Sequence, residues 1–413
     1  MGLMPTNKST WRAVCQPAVI VGALGYFVDI YDLILFSILR IPSLKALGYS
    51  GPDLVSYGIL LLNCQMVGML VGGVLWGMLG DRIGRIQLLF GSILLYSLAN
   101  LANGFVGSVE SYALWRFVAG VGLAGELGGS ITLVSEVLSK EMRGYGTALV
   151  ATIGVTGAVF GGFVADFVDW RTAYFIGGGL GLCLLFLRMS VAESGMFKQA
   201  KETTIKRGSF VSLFTCRKRL VKYLRCILIG VPIWYVIGVL VTFSPEFAKA
   251  LGVTAPIKAN YAVISCYCGL AIGDLSSGFF SQWIGSRKRV VAIFLAVTFA
   301  SVSAYLALTG QSPYAFYATI MAMGVGIGYW AVFVTIAAEQ FGTNIRATVA
   351  TSVPNFVRGA IVPITLSFEY TKGAFGIVPG AAMVGAVCLA IAVIALWGME
   401  ETHGKDLDYH EII

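Results

Sequence analysis

Twelve runs of mostly apolar residues follow one another along this chain, each close to the roughly 20 residues a helix needs to cross a bilayer. In hydrocarbon every backbone N–H and C=O must be paired within the protein, so runs of this length are read as helices. They lie near 17–39, 54–79, 86–106, 110–138, 146–168 and 172–190, and then near 224–249, 258–283, 289–309, 314–338, 347–369 and 374–398. Charged residues make up only 12% of the chain and mean hydropathy is +0.82, which leaves little room for a separate soluble domain.

The runs fall into two sets of six, and the sets echo each other. Gly77, Gly80, Asp81, Arg82, Gly84 and Arg85 have a degraded counterpart in Gly278, Ser281, Gln282, Trp283, Gly285 and Arg287. Glu136 and Arg143 recur as Glu339 and Arg346, and Glu193-Ser194 recurs as Glu401-Thr402. The expected fold is an all-α membrane protein, with twelve transmembrane helices in two six-helix bundles. Because each set has an even number of spans, the pseudo-twofold axis runs along the membrane normal. The expected units are a first bundle over 1–190, a linker over 191–222, and a second bundle with a short tail over 223–413.

Basic residues set the orientation. With both termini inside, 21 of the 29 Lys and Arg fall on the cytoplasmic side, against six in the outer loops, Arg40 among them. The net charge of +8 is therefore a topological signal, and no basic stretch interleaved with aromatics suggests nucleic acid. Eight cysteines without a CxxC pair and two tail histidines exclude a zinc or disulfide scaffold. No GxxxxGK[ST] loop exists to bind ATP, and no nucleophile–base constellation suggests an enzyme.

The Gly77–Arg85 motif resembles the signature loop of the major facilitator superfamily, and the resemblance covers nearly the whole chain. It implies a conformational-switch role for Gly77, Asp81, Arg82, Gly84, Arg85, Glu136 and Arg143; a plain topological anchor is the alternative. Arg116-Phe117, Gly120, Gly122 and Gly125-Glu126 in span 4, with Glu193-Ser194-Gly195 and Glu401-Thr402, resemble the branch of sugar porters and of phosphate– and metabolite–proton symporters. Phe27-Val-Asp29-Ile-Tyr31-Asp32 in span 1 is closer to the symporters, and Pro232-Ile-Trp234-Tyr235 replaces a glutamine-rich sugar-binding stretch.

Ionisable groups inside the bilayer are costly and mark pathways. Six stand out: Asp29, Asp32, Arg116, Glu126, Asp274 and Arg358. Asp29 and Asp32 share one helical face, and Asp32 lies at a depth similar to Arg116. In proton-coupled relatives an aspartate of span 1 pairs with an arginine of span 4, which implies an Asp32–Arg116 coupling pair; a static ion pair is the alternative. Glu126 is a second proton carrier or a glutamate bonded to backbone at a kink. Arg358 is an anion clamp or, with Asp274, an internal bridge. Tyr31, Trp234, Tyr235 and Trp330 are candidates for the cavity wall, with packing as the alternative.

The resulting expectation is a proton-driven symporter for a small polar metabolite, an organic carboxylate or a zwitterion, working by alternating access. Its partners would be that solute, protons and the lipid bilayer, with no cofactor and no metal. It would be a monomer in a bacterial inner membrane, with both termini cytoplasmic. The rivals are a proton-driven efflux antiporter for drugs or organic cations and a transporter-like solute sensor.

Overall fold

The structure, a computed structural model, describes residues 16–83, 85–126, 143–193 and 210–404. In the first half, span 1 is Pro17–Ala46, span 2 Asp53–Ile83, span 3 Arg85–Asn103, span 5 Arg143–Phe167 and span 6 Trp170–Glu193. Span 4 is helical over Val109–Leu123 and is described only as far as Glu126. In the second half, span 8 is Ala259–Ile284, span 9 Arg287–Ala307 and span 12 Ile377–Trp397.

Three spans of the second half are interrupted. Span 7 runs Arg217–Leu228, Val231–Tyr235, a π-helical turn over Val236–Val241, and Ser244–Ala250. Span 10 breaks between Pro313–Ile327 and Trp330–Glu339, and span 11 steps between Thr343–Gly359 and Ile361–Phe375. Ten helices among the described residues are long and apolar enough to cross a membrane. Leu88–Asn103 in span 3 is a shorter apolar helix, and span 4 completes the set of twelve.

The packing repeats as the duplication requires. Span 2 packs on span 4 in the first half, and span 8 packs on span 10 in the second. Between the halves, span 2 meets span 11 and span 5 meets span 8. A twofold that exchanges the bundles turns one of these contacts into the other. Helices pack closely where small residues allow it, as at Gly157 of span 5, which lies against the Phe27 carbonyl of span 1.

Two helices overrun their expected lengths, and two arginines turn out to be indoors. Span 1 continues through Pro42 to Ala46, so Arg40 is buried within a helix and not in an outer loop. Span 6 continues to Glu193, and Arg188, tallied with the cytoplasmic basic residues although it falls within the expected 172–190, is buried. Residues 210–213 form a 3-10 turn, and Phe210 stacks on Phe356 of span 11.

At the end where span 1 finishes, the outer end by the distribution of basic residues, polar contacts tie the halves together. Ser37 Oγ lies 2.9 Å from Thr242 Oγ1, Asn63 Oδ1 accepts from Thr365 Oγ1 at 2.7 Å, and Asn260 donates to the Gly162 carbonyl at 3.2 Å. Lys258 and Asp166 add an exposed ion pair at 3.7 Å. The molecule is shut at this end.

Candidate functional site

A narrow cavity lies where spans 1, 5, 7, 8, 10 and 11 meet. Its aromatic wall is Tyr26, Trp234, Tyr267 and Trp330. Ile30, Val155, Ile233, Ile237 and Leu270 supply the aliphatic remainder. Arg358 is the one charged side chain among the described residues lining it. Its guanidinium carbon sits 5.8 Å from the Trp330 ring centroid, within reach of a cation–π contact.

Arg358 reaches this position because span 11 is amphipathic for a membrane helix. Over Thr343–Gly359 it combines Asn355 and Arg358 with Val353 and Val357, and all four are buried. Asn355 donates to the Ala124 carbonyl at 2.9 Å across the halves. Span 1 brings Asp29 to Arg358 from the other side, with Asp29 Oδ2 3.5 Å from Arg358 Nη2. Both residues are fully buried. Neither oxygen of Asp29, and neither Nε nor Nη1 of Arg358, has a hydrogen-bond partner among the described residues.

Asp29 is one station of a polar column on a single face of span 1. One turn towards the N-terminal end of span 1, the Glu126–Arg188 ion pair passes over Gly25, with Arg188 Nη1 also 3.1 Å from Glu126 Oε2. A Cβ at Gly25 would meet the ends of both side chains, and the pair would have to shift. One turn the other way lies Asp32, buried, with neither oxygen hydrogen-bonded among the described residues. Beyond it, Phe36 faces Arg116, whose guanidinium carbon is 4.8 Å from the ring centroid. Arg40 ends the column. These positions recur every three or four residues, the spacing that puts side chains on one helical face.

The expected ion pair between Asp32 and Arg116 is not formed. Arg116 donates instead to Gln65 Oε1 of span 2, a neutral amide that a search for charges passes over. Asp274 does not bridge to Arg358 either. It accepts the backbone N–H of Ala331 at 3.1 Å and so caps the second segment of span 10. The break that exposes this N–H occurs at Gly328-Tyr329, where Gly328 lies backbone to backbone against Gly273 of span 8. Four N–H groups at a helix start lack intrahelical partners, and a carboxylate satisfies them well. The cap fixes the start of the helix that carries Trp330.

Of the aromatic candidates, Trp234 and Trp330 line the cavity. Tyr31 and Tyr235 face their own bundles, because each hydroxyl is drawn to a buried carbonyl: Tyr31 to Ala173 O at 2.9 Å and Tyr235 to Ala381 O at 2.7 Å. Tyr26 and Tyr267 take their places, two residues unmarked by charge or motif. Gly84 and Glu136 lie outside the described residues, and of Gly77, Asp81, Arg82, Arg85 and Arg143 no side chain is described. Their second-half counterparts form a cluster in which Arg287 Nε lies 2.6 Å from Glu339 Oε2. Glu401 accepts from Ser286 Oγ and from the Arg287 N–H, at 3.0 Å, and so caps span 9.

The sequence profile described as Major Facilitator Superfamily matches residues 22–364. A niacin transporter of Acinetobacter baylyi is 27% identical over 388 residues, covering 84% of this chain and 86% of its own. The 3-(3-hydroxy-phenyl)propionate transporter of Escherichia coli is 27% identical over 294 residues, 70% of this chain and 71% of its own. Among solved structures, a D-xylose-proton symporter superposes with a TM-score of 0.69 at 15% identity, over 95% of this chain and 99% of that one. That likeness is one of fold.

Proposed function

This chain belongs to the Major Facilitator Superfamily and is a membrane transporter rather than an enzyme; we propose that it moves a small aromatic monocarboxylate together with protons, by alternating access. The observation that carries this reading is the cavity, in which one arginine faces an otherwise apolar and aromatic wall. A guanidinium presents parallel donors that fit a carboxylate, and the indoles and phenols fit a flat apolar body. The two named relatives handle acids of this kind, a pyridine carboxylate and a phenyl-substituted propionate.

A zwitterion fits less well, because Asp29 stands behind Arg358 and no acid among the described residues lines the wall to meet an ammonium group. An organic cation would meet Arg358 head on, which disfavours drug or cation efflux. In this reading both termini face the cytoplasm, as the distribution of basic residues suggests, and the buried acids Asp29 and Asp32 are the groups proposed to take up protons.

The test is uptake of labelled nicotinate and 3-(3-hydroxyphenyl)propionate into proteoliposomes with an alkaline interior. Accumulation of at least one acid is expected, and a protonophore should collapse it. Arg358→Ala should abolish uptake, and Arg358→Lys should lower apparent affinity by keeping the charge without the fork. Accumulation unchanged by Arg358→Ala, or uptake of organic cations in place of acids, overturns the reading.

A further inference from the structure

We infer that Asp29 is a built-in occupant of the substrate's anion site: an incoming carboxylate takes Arg358 from it, and Asp29 then holds the proton that travels with the substrate. This rests on the carboxylate reading of Arg358. The guanidinium is only partly engaged at rest, because Asp29 meets Nη2 at 3.5 Å while Nε and Nη1 stay unbonded among the described residues. Both two-pronged edges of the guanidinium, Nε–Nη2 and Nη1–Nη2, include the Nη2 that Asp29 meets, so a carboxylate that grips Arg358 by two prongs competes with Asp29.

Charge balance favours the exchange. Asp29, Asp32 and Glu126 are buried around the column with Arg40, Arg116, Arg188 and Arg358, and Arg40 is held by Glu246 at the outer end. Glu126 is committed to Arg188, and Arg116 to Gln65 and the face of Phe36. Asp274 is committed to the start of the Trp330 helix. Tyr26, Tyr96 and Tyr267 also stand within electrostatic reach of Asp29.

An arriving carboxylate adds one negative charge here, and the group that loses its partner is Asp29. A proton on Asp29 restores neutrality, whereas an unpaired buried carboxylate is strongly disfavoured. One proton enters with each carboxylate, so the loaded cavity has the same charge as the empty one. When the acid leaves, the proton leaves, and the Asp29–Arg358 pair closes again between the halves. The empty carrier thereby returns without bringing a proton back.

Isothermal titration of the purified full-length protein with benzoate tests this, in buffers of different ionisation enthalpy between pH 6 and 8, where a carboxyl with an ordinary pKa near 4 is ionised. The wild type should take up one proton per benzoate, and its affinity should fall by about tenfold per pH unit on the alkaline side. Asp29→Asn should bind benzoate at least about tenfold more tightly at pH 8 with no proton uptake, since the competitor has gone. Asp29→Glu should restore the uptake, which separates the exchange from a folding defect. Wild-type binding without proton uptake overturns the exchange and leaves Arg358 as the acid's site. So does uptake that persists in Asp29→Asn but vanishes in Asp32→Asn or Glu126→Gln. Absence of benzoate binding in the wild type, or binding unchanged in Arg358→Ala, overturns the anion site itself and the exchange with it.

Discussion

Arg40 of span 1 and Glu246 of span 7 join the two halves through a buried guanidinium, with Arg40 Nη2 2.7 Å from each carboxylate oxygen of Glu246. The same arginine donates to the Leu54 carbonyl at 2.9 Å and the Thr242 carbonyl at 3.3 Å, and stacks 4.4 Å above Phe243. It is completely buried, while the Glu246 side chain keeps 20% of its exposure. The pair thus lies between an exposed ion pair, worth about 0–1 kcal/mol, and a buried one, about 3–5 kcal/mol to break by removing one partner.

Removing it should open the outer end. Glu246→Gln is expected to shift the balance between closed and open by roughly 5–150-fold, as a coupling of about 1–3 kcal/mol does. With a cysteine placed at Thr242 in a cysteine-free background, an impermeant thiol reagent should label the variant several times faster. Charge reversal at both positions, Arg40→Glu with Glu246→Arg, should bring labelling back towards its slow rate. Equal labelling in all three proteins would show that the pair does not hold the gate.

The Glu126–Arg188 pair predicts a non-additive result. Arg188→Gln leaves a buried glutamate without this partner and should cost about 3–5 kcal/mol. The double variant Arg188→Gln/Glu126→Gln should be more stable than either single variant. Gly25→Ala should destabilise by about 1–3 kcal/mol through overpacking against the same pair. Melting temperatures in detergent read all four proteins, and simple additivity would remove the coupling.

Trp330 is held by the helix that Asp274 caps, so two substitutions should converge. Trp330→Ala is expected to weaken binding of an aromatic acid roughly tenfold, about 1.4 kcal/mol, and to admit bulkier acids as competitors. Asp274→Asn should show the same widened selectivity with the ring still present, because the start of its helix loosens. Competition of labelled nicotinate by a graded series of larger acids measures both.

Acid should undo one contact outside the bilayer. Burial on its own pushes the Glu401 carboxyl up, but hydrogen bonds from Ser286 and from the backbone N–H groups of His403, Arg287 and Thr402 outweigh it and hold the group at about 2. A pKa lowered on folding contributes stability that is complete above the ordinary value of 4.5 and fades as pH falls towards 2. Wild type should therefore melt higher than Glu401→Gln at pH 7, and the gap should narrow between pH 4.5 and 2. A gap that stays constant would show that this carboxylate is not what the cap depends on.

Much of the architecture is legible in residue order, since apolar run length and the echoed motifs dictate two bundles of six spans. The intramembrane charges point to Asp29 and Arg358 because burying an unpaired ion is so unfavourable that few positions carry one. Arg40 and Arg188 escape the same logic. A window of roughly 20 residues ends span 1 before Arg40 is reached, and Arg188, near the end of the expected span 6, reads as a membrane-end anchor until the fold sets it against Glu126. Gln65 and Tyr267 escape for a different reason: neutral polar side chains are common in spans, and only the tertiary fold reveals what they meet. Asp274 reads as a possible partner for an arginine until the break at Gly328-Tyr329 supplies it with free N–H groups.

Span 1 is continuous helix from Pro17 to Ala46, and this has a mechanical consequence. Asp29 and Arg40 are eleven residues apart on one rod, about 16 Å at 1.5 Å per residue. A rod does not let its two ends choose independently. If releasing Asp29 from Arg358 rolls span 1 about its axis, the same roll swings Arg40 away from Glu246 with no intermediary between them. Loading the cavity and unlatching the outer end would then be two readings of one torsion angle.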